Sequence, residues 1–139
     1  MKNYKLYHKN KLLLNFEIQN FTPISCQIYI ENTKYLPLPL KRIINNKEEF
    51  IDKTMSDVYI VNDDGCYLFD YWLSNREVPV NRDNYQKYIT NKSSARKWML
   101  ENHSCSYTDC YWTKEDSECI NYKDILDYPN NKVTPTKYI

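Results

Sequence analysis

The 139-residue chain is 42% hydrophobic and 27% charged, with a formal net charge of +1. That balance excludes a disordered chain and suffices for one domain with its own core. It gives no broad basic field for nucleic acid, and apolar runs such as Leu12–Leu14 are far too short to span a bilayer.

No apolar stretch follows the opening MKNYKLYHKNK, so a cytoplasmic location is expected, with the five cysteines as reduced thiols. The heavy use of Lys, Asn, Ile and Tyr is the bias of an AT-rich genome, such as that of a low-GC bacterium or its phage. Gly65 is the only glycine. One glycine cannot build the Gly-rich loop that lets a backbone cradle phosphate, which disfavours nucleotide-kinase chemistry within these residues.

The first elements read as strands. Tyr4–Tyr7 and Leu12–Ile18 form a predicted hairpin, with Leu12, Leu14, Phe16 and Ile18 alternating at period two. His8-Lys9-Asn10-Lys11 suits the turn, which places His8 in solvent. Ile24, Cys26, Ile28 and Ile30 alternate again as a third strand. Tyr35–Leu40 (YLPLPL) has two prolines, which predicts an extended, edge-like path. Lys41–Asn46 leads into a loop or short helix. Val58–Val61 is compact and apolar and ends at Asn62-Asp63-Asp64-Gly65, a turn signal.

From Gly65 the period becomes helical, with Leu68, Phe69, Trp72 and Leu73 on one face and Asn75 as the stop. Further helices are predicted over Asp83–Ile89 and Ala95–Glu101. Tyr111-Trp112-Thr113 reads as a short strand, and Asn121 caps a last helical turn through Ile125 and Leu126. The expected fold is α+β: a β-hairpin and small antiparallel sheet followed by a cluster of short helices, in one domain over 1–127. Residues 128–139 read as an extended tail.

Two segments stand out as candidate sites. In the first, Trp72 precedes Arg76, Pro79 and Arg82. The two arginines flanking a proline turn could grip a carboxylate or phosphate bidentately; alternatively Trp72 is core and the arginines bond loop carbonyls. In the second, Asp109 sits beside Tyr111 and Trp112, where it could cap a turn or pair with an arginine of the first segment. Tyr85, Tyr88 and Tyr107 add aromatic surface near both. Fourteen tyrosines without an evident nucleophile–base pair favour binding over catalysis. His103, Cys105, Cys110 and Cys119 lack a Cys-x-x-Cys knuckle, so thiols packed as small hydrophobes are expected rather than zinc. No metal or cofactor is expected.

Several motifs lie in a familiar order. They are Tyr35-Leu36-Pro37-Leu38-Pro39-Leu40; Trp72 with Arg76, Pro79 and Arg82; Ser106-Tyr107-Thr108-Asp109-Cys110-Tyr111-Trp112; and Ile120-Asn121-Tyr122-Lys123-Asp124. Together they resemble the N-terminal region of HipA-like kinases of Firmicutes, from about Tyr4 to Asp124. That family's ATP loop, catalytic aspartate and metal ligands belong downstream of this region, so none is carried over. The helix after the second arginine is leucine-rich in the family and tyrosine-rich here.

The resemblance implies a kinase-associated domain without its kinase. In some HipA-type toxin systems this region is a separate protein that binds and inhibits the kinase. The expected function is therefore a non-enzymatic protein-binding module that docks on a HipA-like kinase in a toxin–antitoxin system. A phage or mobile-element inhibitor of a host defence effector is the first alternative. The second is a small DNA-binding accessory using Lys87, Lys92, Arg96 and Lys97 on a helix-turn-helix, which the near-neutral charge disfavours.

Overall fold

The computed structural model describes residues 2–75, 100, 101, 103, 104 and 109–127, the last three for their backbone alone. Strands β1 (Lys2–His8), β2 (Lys11–Gln19) and β3 (Thr22–Tyr29) form an antiparallel meander. A 3-10 helix (Ile30–Tyr35), α1 (Leu38–Asn45) and α2 (Lys47–Phe50) follow, then β4 (Ile51–Met55), β5 (Val58–Val61) and α3 (Asp63–Ser74). The described residues close with β6 (Tyr111–Glu115) and α4 (Tyr122–Asp127). The six strands make one antiparallel sheet in the order β4-β5-β3-β2-β1-β6, so the fold is α+β.

The hairpin stands where alternation places it, but two bulges shift its phase. Leu6 pairs with Leu14 and Tyr7 with Leu12, which leaves Leu13 as an extra residue. Both Leu13 and Leu14 are buried as a result, and Leu12 is only half-buried. On β3, Ser25 pairs with Glu17 and Pro23 with Ile18, so Ile24 is the extra residue. Ile24 is therefore 40% exposed rather than in the core with Cys26 and Ile28. Ile30 leaves the strand to open the 3-10 helix.

The YLPLPL segment does not run as an extended edge. Pro37 is the residue before α1, and Pro39 falls in its first turn. The first amides of a helix have no intrahelical acceptor, so proline costs nothing there. Leu40 and Ile43 of α1 are buried against α3 and the sheet.

Asn62-Asp63-Asp64-Gly65 is a helix start rather than a free turn. Asn62 Oδ1 accepts the Gly65 amide at 2.9 Å, and Asp63 and Asp64 lie at the positive end of the α3 dipole. Gly65 is there for close approach: a Cβ would strike the Val61 side chain and come within 3.1 Å of the Phe50 carbonyl oxygen. Helix α3 then buries Cys66, Phe69 and Leu73 on the inner face of the sheet, beside Phe16, Cys26 and Ile28. Burial raises the Cys26 thiol well above its ordinary range, and the hydrogen bond from Cys26 lowers that of Cys66. The predicted stop at Asn75 holds, with its amide bonded to the last carbonyls of the helix.

A second, smaller core lies on the other face. Register puts Trp112 opposite Tyr7, one residue out of phase with buried Leu6 and Thr113. Trp112 and Tyr122 pack there with Tyr7, Cys110 and Ile120. The predicted cap is present: Asn121 Oδ1 accepts the Asp124 amide at 3.2 Å, and Asp124 returns a bond to the Asn121 amide. Of the helices expected over Asp83–Ile89 and Ala95–Glu101, the first lies outside the described residues. Of the second, only Leu100 and Glu101 are described, and both are helical. Residues 128–139 also lie outside them.

Candidate functional site

The end of the sheet where β1 meets β6 gathers the aromatic residues singled out above. Trp72, projecting from α3, meets the Tyr111 ring edge-on at 5.7 Å and packs on Phe69 at 6.1 Å. Phe69 in turn meets Phe16 of β2 at 4.8 Å. Tyr111 donates its hydroxyl to the Tyr35 carbonyl at 2.6 Å, and its amide donates to Asp109 Oδ1 at 3.1 Å. Asp109 thus caps the start of β6. On the opposite face Trp112 stacks on Tyr7 at 4.7 Å and donates its indole N–H to the Lys9 carbonyl at 2.7 Å. Lys114 lies over the Tyr7 ring, completing a cation–π contact.

The structure therefore brings Trp72 of α3 together with Tyr111 and Asp109, at least 37 residues further along the chain, whereas Trp112 points to the opposite face of the sheet. Trp72 and Tyr111 join α3 to the sheet in the main core, while Trp112 anchors the second core. They form an internal clasp. Arg76, Arg82, Tyr85, Tyr88 and Tyr107 lie outside the described residues, and so does the arginine side of an Asp109–Arg pair.

Sequence reasoning missed two members of the cluster. His8 is not in solvent: it is half-buried, with its ring on Tyr35 at 5.8 Å and on Tyr111 at 4.9 Å. The turn is only Lys9-Asn10, so His8 is still a strand residue paired with Tyr111. Burial and the neighbouring Lys9 charge lower the His8 pKa, against a smaller upward pull from Asp109. Tyr35 is the second, reached by no periodic signal.

His103 and Ser104 form a polar strap on the outer edge of β6. Both have left-handed backbone, with φ of 58° and 54°. The Thr113 amide donates to the His103 carbonyl at 2.8 Å, and His103 Nδ1 donates to the Thr113 carbonyl at 3.1 Å. Ser104 Oγ lies 2.7 Å from Thr113 Oγ1, and His103 Nε2 lies 3.8 Å from Glu118 Oε2. These bonds occupy the edge of the strand and tie it to the Glu115–Glu118 turn. Cys105 is outside the described residues; Cys110 and Cys119 are free thiols. Among the described residues no group of three or more His, Cys, Asp or Glu is placed to hold a metal ion, and no helix is long and apolar enough to cross a membrane.

The most exposed large aromatics of the described residues are on α3. Tyr67 and Tyr71 are 67% and 63% exposed and stand one helical turn apart, opposite buried Phe69 and Leu73. Their i, i+4 spacing was readable in the sequence once the Phe69–Leu73 face was assigned to the core. Compared with known proteins, the chain matches no family model, no curated protein and no solved structure.

Proposed function

We propose that this chain is a non-enzymatic, cytoplasmic protein-binding module that docks on a HipA-like kinase and restrains it. Two things support the reading. The motif order resembles the N-terminal region of that family. The same helix that carries Trp72 into the clasp turns Tyr67 and Tyr71 outward as a rigid aromatic pair. A tyrosine held on a fixed helix loses little conformational freedom on binding and gives large contact area, which is what interface anchors need. That exposed pair is the observation on which the reading rests. Docking, on this view, uses the outward tyrosines and leaves the clasp intact.

The test is co-expression with a HipA-like kinase core, followed by co-purification and an autophosphorylation assay. The reading requires a stable complex and reduced kinase activity. Tyr67→Ala and Tyr71→Ala should each weaken binding by about tenfold or more while leaving the fold intact. A kinase that neither binds nor loses activity removes the reading, and capture of a defence effector instead moves it to the phage-inhibitor class.

A further inference from the structure

The outward face of α3 is acidic as well as aromatic. Asp63 and Asp64 stand four and three residues before Tyr67, on the same face and one turn away, and both are exposed. The helix holds three aspartates and neither lysine nor arginine. Asp63 and Asp64 form no ion pair among the described residues. Arg42 of α1 and Lys47 of α2 lie instead over the rings of Phe50 and Tyr59. The helix dipole supplies about half a positive charge at this end, so two carboxylates leave the face net negative. Asp63, Asp64, Tyr67 and Tyr71 thus form one continuous exposed stripe, carboxylates at one end and phenol rings at the other.

We infer that this face docks a basic surface of a partner polypeptide, which rests on the reading of Tyr67 and Tyr71 as docking anchors but not on the partner's being a kinase. Charge decides among the occupants. Nucleic acid and anionic lipid present phosphates, which the carboxylates repel. A two-fold dimer through this face would set the same stripe against itself, carboxylate toward carboxylate. An apolar partner would strip water from Asp63 and Asp64 and leave them unpaired. Lysine and arginine satisfy both ends of the stripe: a cation rests on the open face of a tyrosine ring and bonds a carboxylate one turn away. The rings supply the contact area. The carboxylates at the rim set orientation and on-rate more than affinity, and this makes the binding sensitive to salt.

The test is a two-dimensional ¹⁵N NMR titration of the full chain with an acetylated, amidated alanine-based peptide carrying lysine and arginine, against the same peptide with glutamate in their place. Saturable shifts centred on the Asp63–Ser74 amides are expected with the basic peptide alone, and added NaCl should weaken the binding. Asp63→Asn with Asp64→Asn should weaken it about threefold or more and leave the rest of the spectrum unchanged. Tyr67→Ala with Tyr71→Ala, which keeps both carboxylates, should weaken it by at least as much; charge attraction without the rings would leave it unchanged. No saturable response, an equal response to the glutamate peptide, or undiminished binding in either pair of substitutions would overturn the inference. Shifts at these amides on raising the protein's own concentration would give the face to a second copy and overturn it too. If the basic peptide binds at α3 and a HipA-like kinase core does not bind, the kinase reading alone falls. If the kinase core binds through Tyr67 and Tyr71 and the basic peptide leaves α3 unmoved, the basic surface alone falls.

Discussion

Trp72 and Tyr111 meet edge to face, their ring centroids 5.7 Å apart and their planes at 89°. This contact ties the only long helix among the described residues to the edge strand β6, and it joins the two motifs that stood out in the sequence. Edge-to-face aromatic pairs add about 0.5–1.5 kcal/mol beyond the area they bury. Trp72→Leu and Tyr111→Leu should each destabilise the fold. In a double-mutant cycle by urea unfolding, their coupling should fall in that range. Additive losses would show that the two rings share a core without a specific contact.

Gly65→Ala should destabilise, although alanine is the better helix former by about 1 kcal/mol. The new methyl meets the Val61 side chain and the Phe50 carbonyl, and overpacking of this kind costs about 1–3 kcal/mol. Combining it with Val61→Ala should recover part of the loss from Gly65→Ala, measured relative to Val61→Ala alone. A neutral or raised melting temperature for the single variant would contradict the close packing.

Phe21→Gly should stabilise relative to Phe21→Ala, since both variants lose the ring and its contact. Asn20 and Phe21 connect β2 and β3 with φ of 53° and 62°, the two left-handed positions of a tight hairpin turn. A non-glycine residue there carries a cost of about 1–2 kcal/mol, partly offset by the greater freedom of glycine in the unfolded chain. The net gain should be about 0.5–1 kcal/mol, read as a higher urea midpoint with unchanged slope.

Stability should fall on mild acidification because of His8. Its folded pKa lies below the ordinary value of 6.5, so the unfolded chain takes up the proton first. The stabilising contribution is whole above pH 6.5 and is lost as pH drops from there through the folded value. His8→Gln should flatten this part of the urea-midpoint profile between about pH 7 and 5. An unchanged profile would place the titration elsewhere.

Much of the sheet was legible because one side of it is buried and alternation follows directly. Leu14, Phe16 and Ile18 announce β2, and Tyr111 to Thr113 announce β6. The bulges at Leu13 and Ile24 were not legible, since an unpaired residue is defined by the partner strand and not by its own neighbours. YLPLPL misled for a related reason: proline is equally at home at a sheet edge and in the first turn of a helix, and only the buried contacts of Leu40 and Ile43 decide between them. At the clasp, Trp72 and Tyr111 were visible as separate motifs. Their meeting, and the presence of His8 and Tyr35, depend on strand order across the whole sheet.

Strand β6 also bears on how the protein comes into being during synthesis. Its residues Tyr111 to Glu115 pair with Tyr4 to His8, so β1, once out of the ribosome, finds its second neighbour only after more than a hundred further residues have been added. Until then the outer edge of β1 offers unpaired backbone groups, and Tyr7 lacks the indole that covers it. The nascent meander is thus a sticky intermediate whose protection arrives late, and closure across so long a loop makes for slow folding.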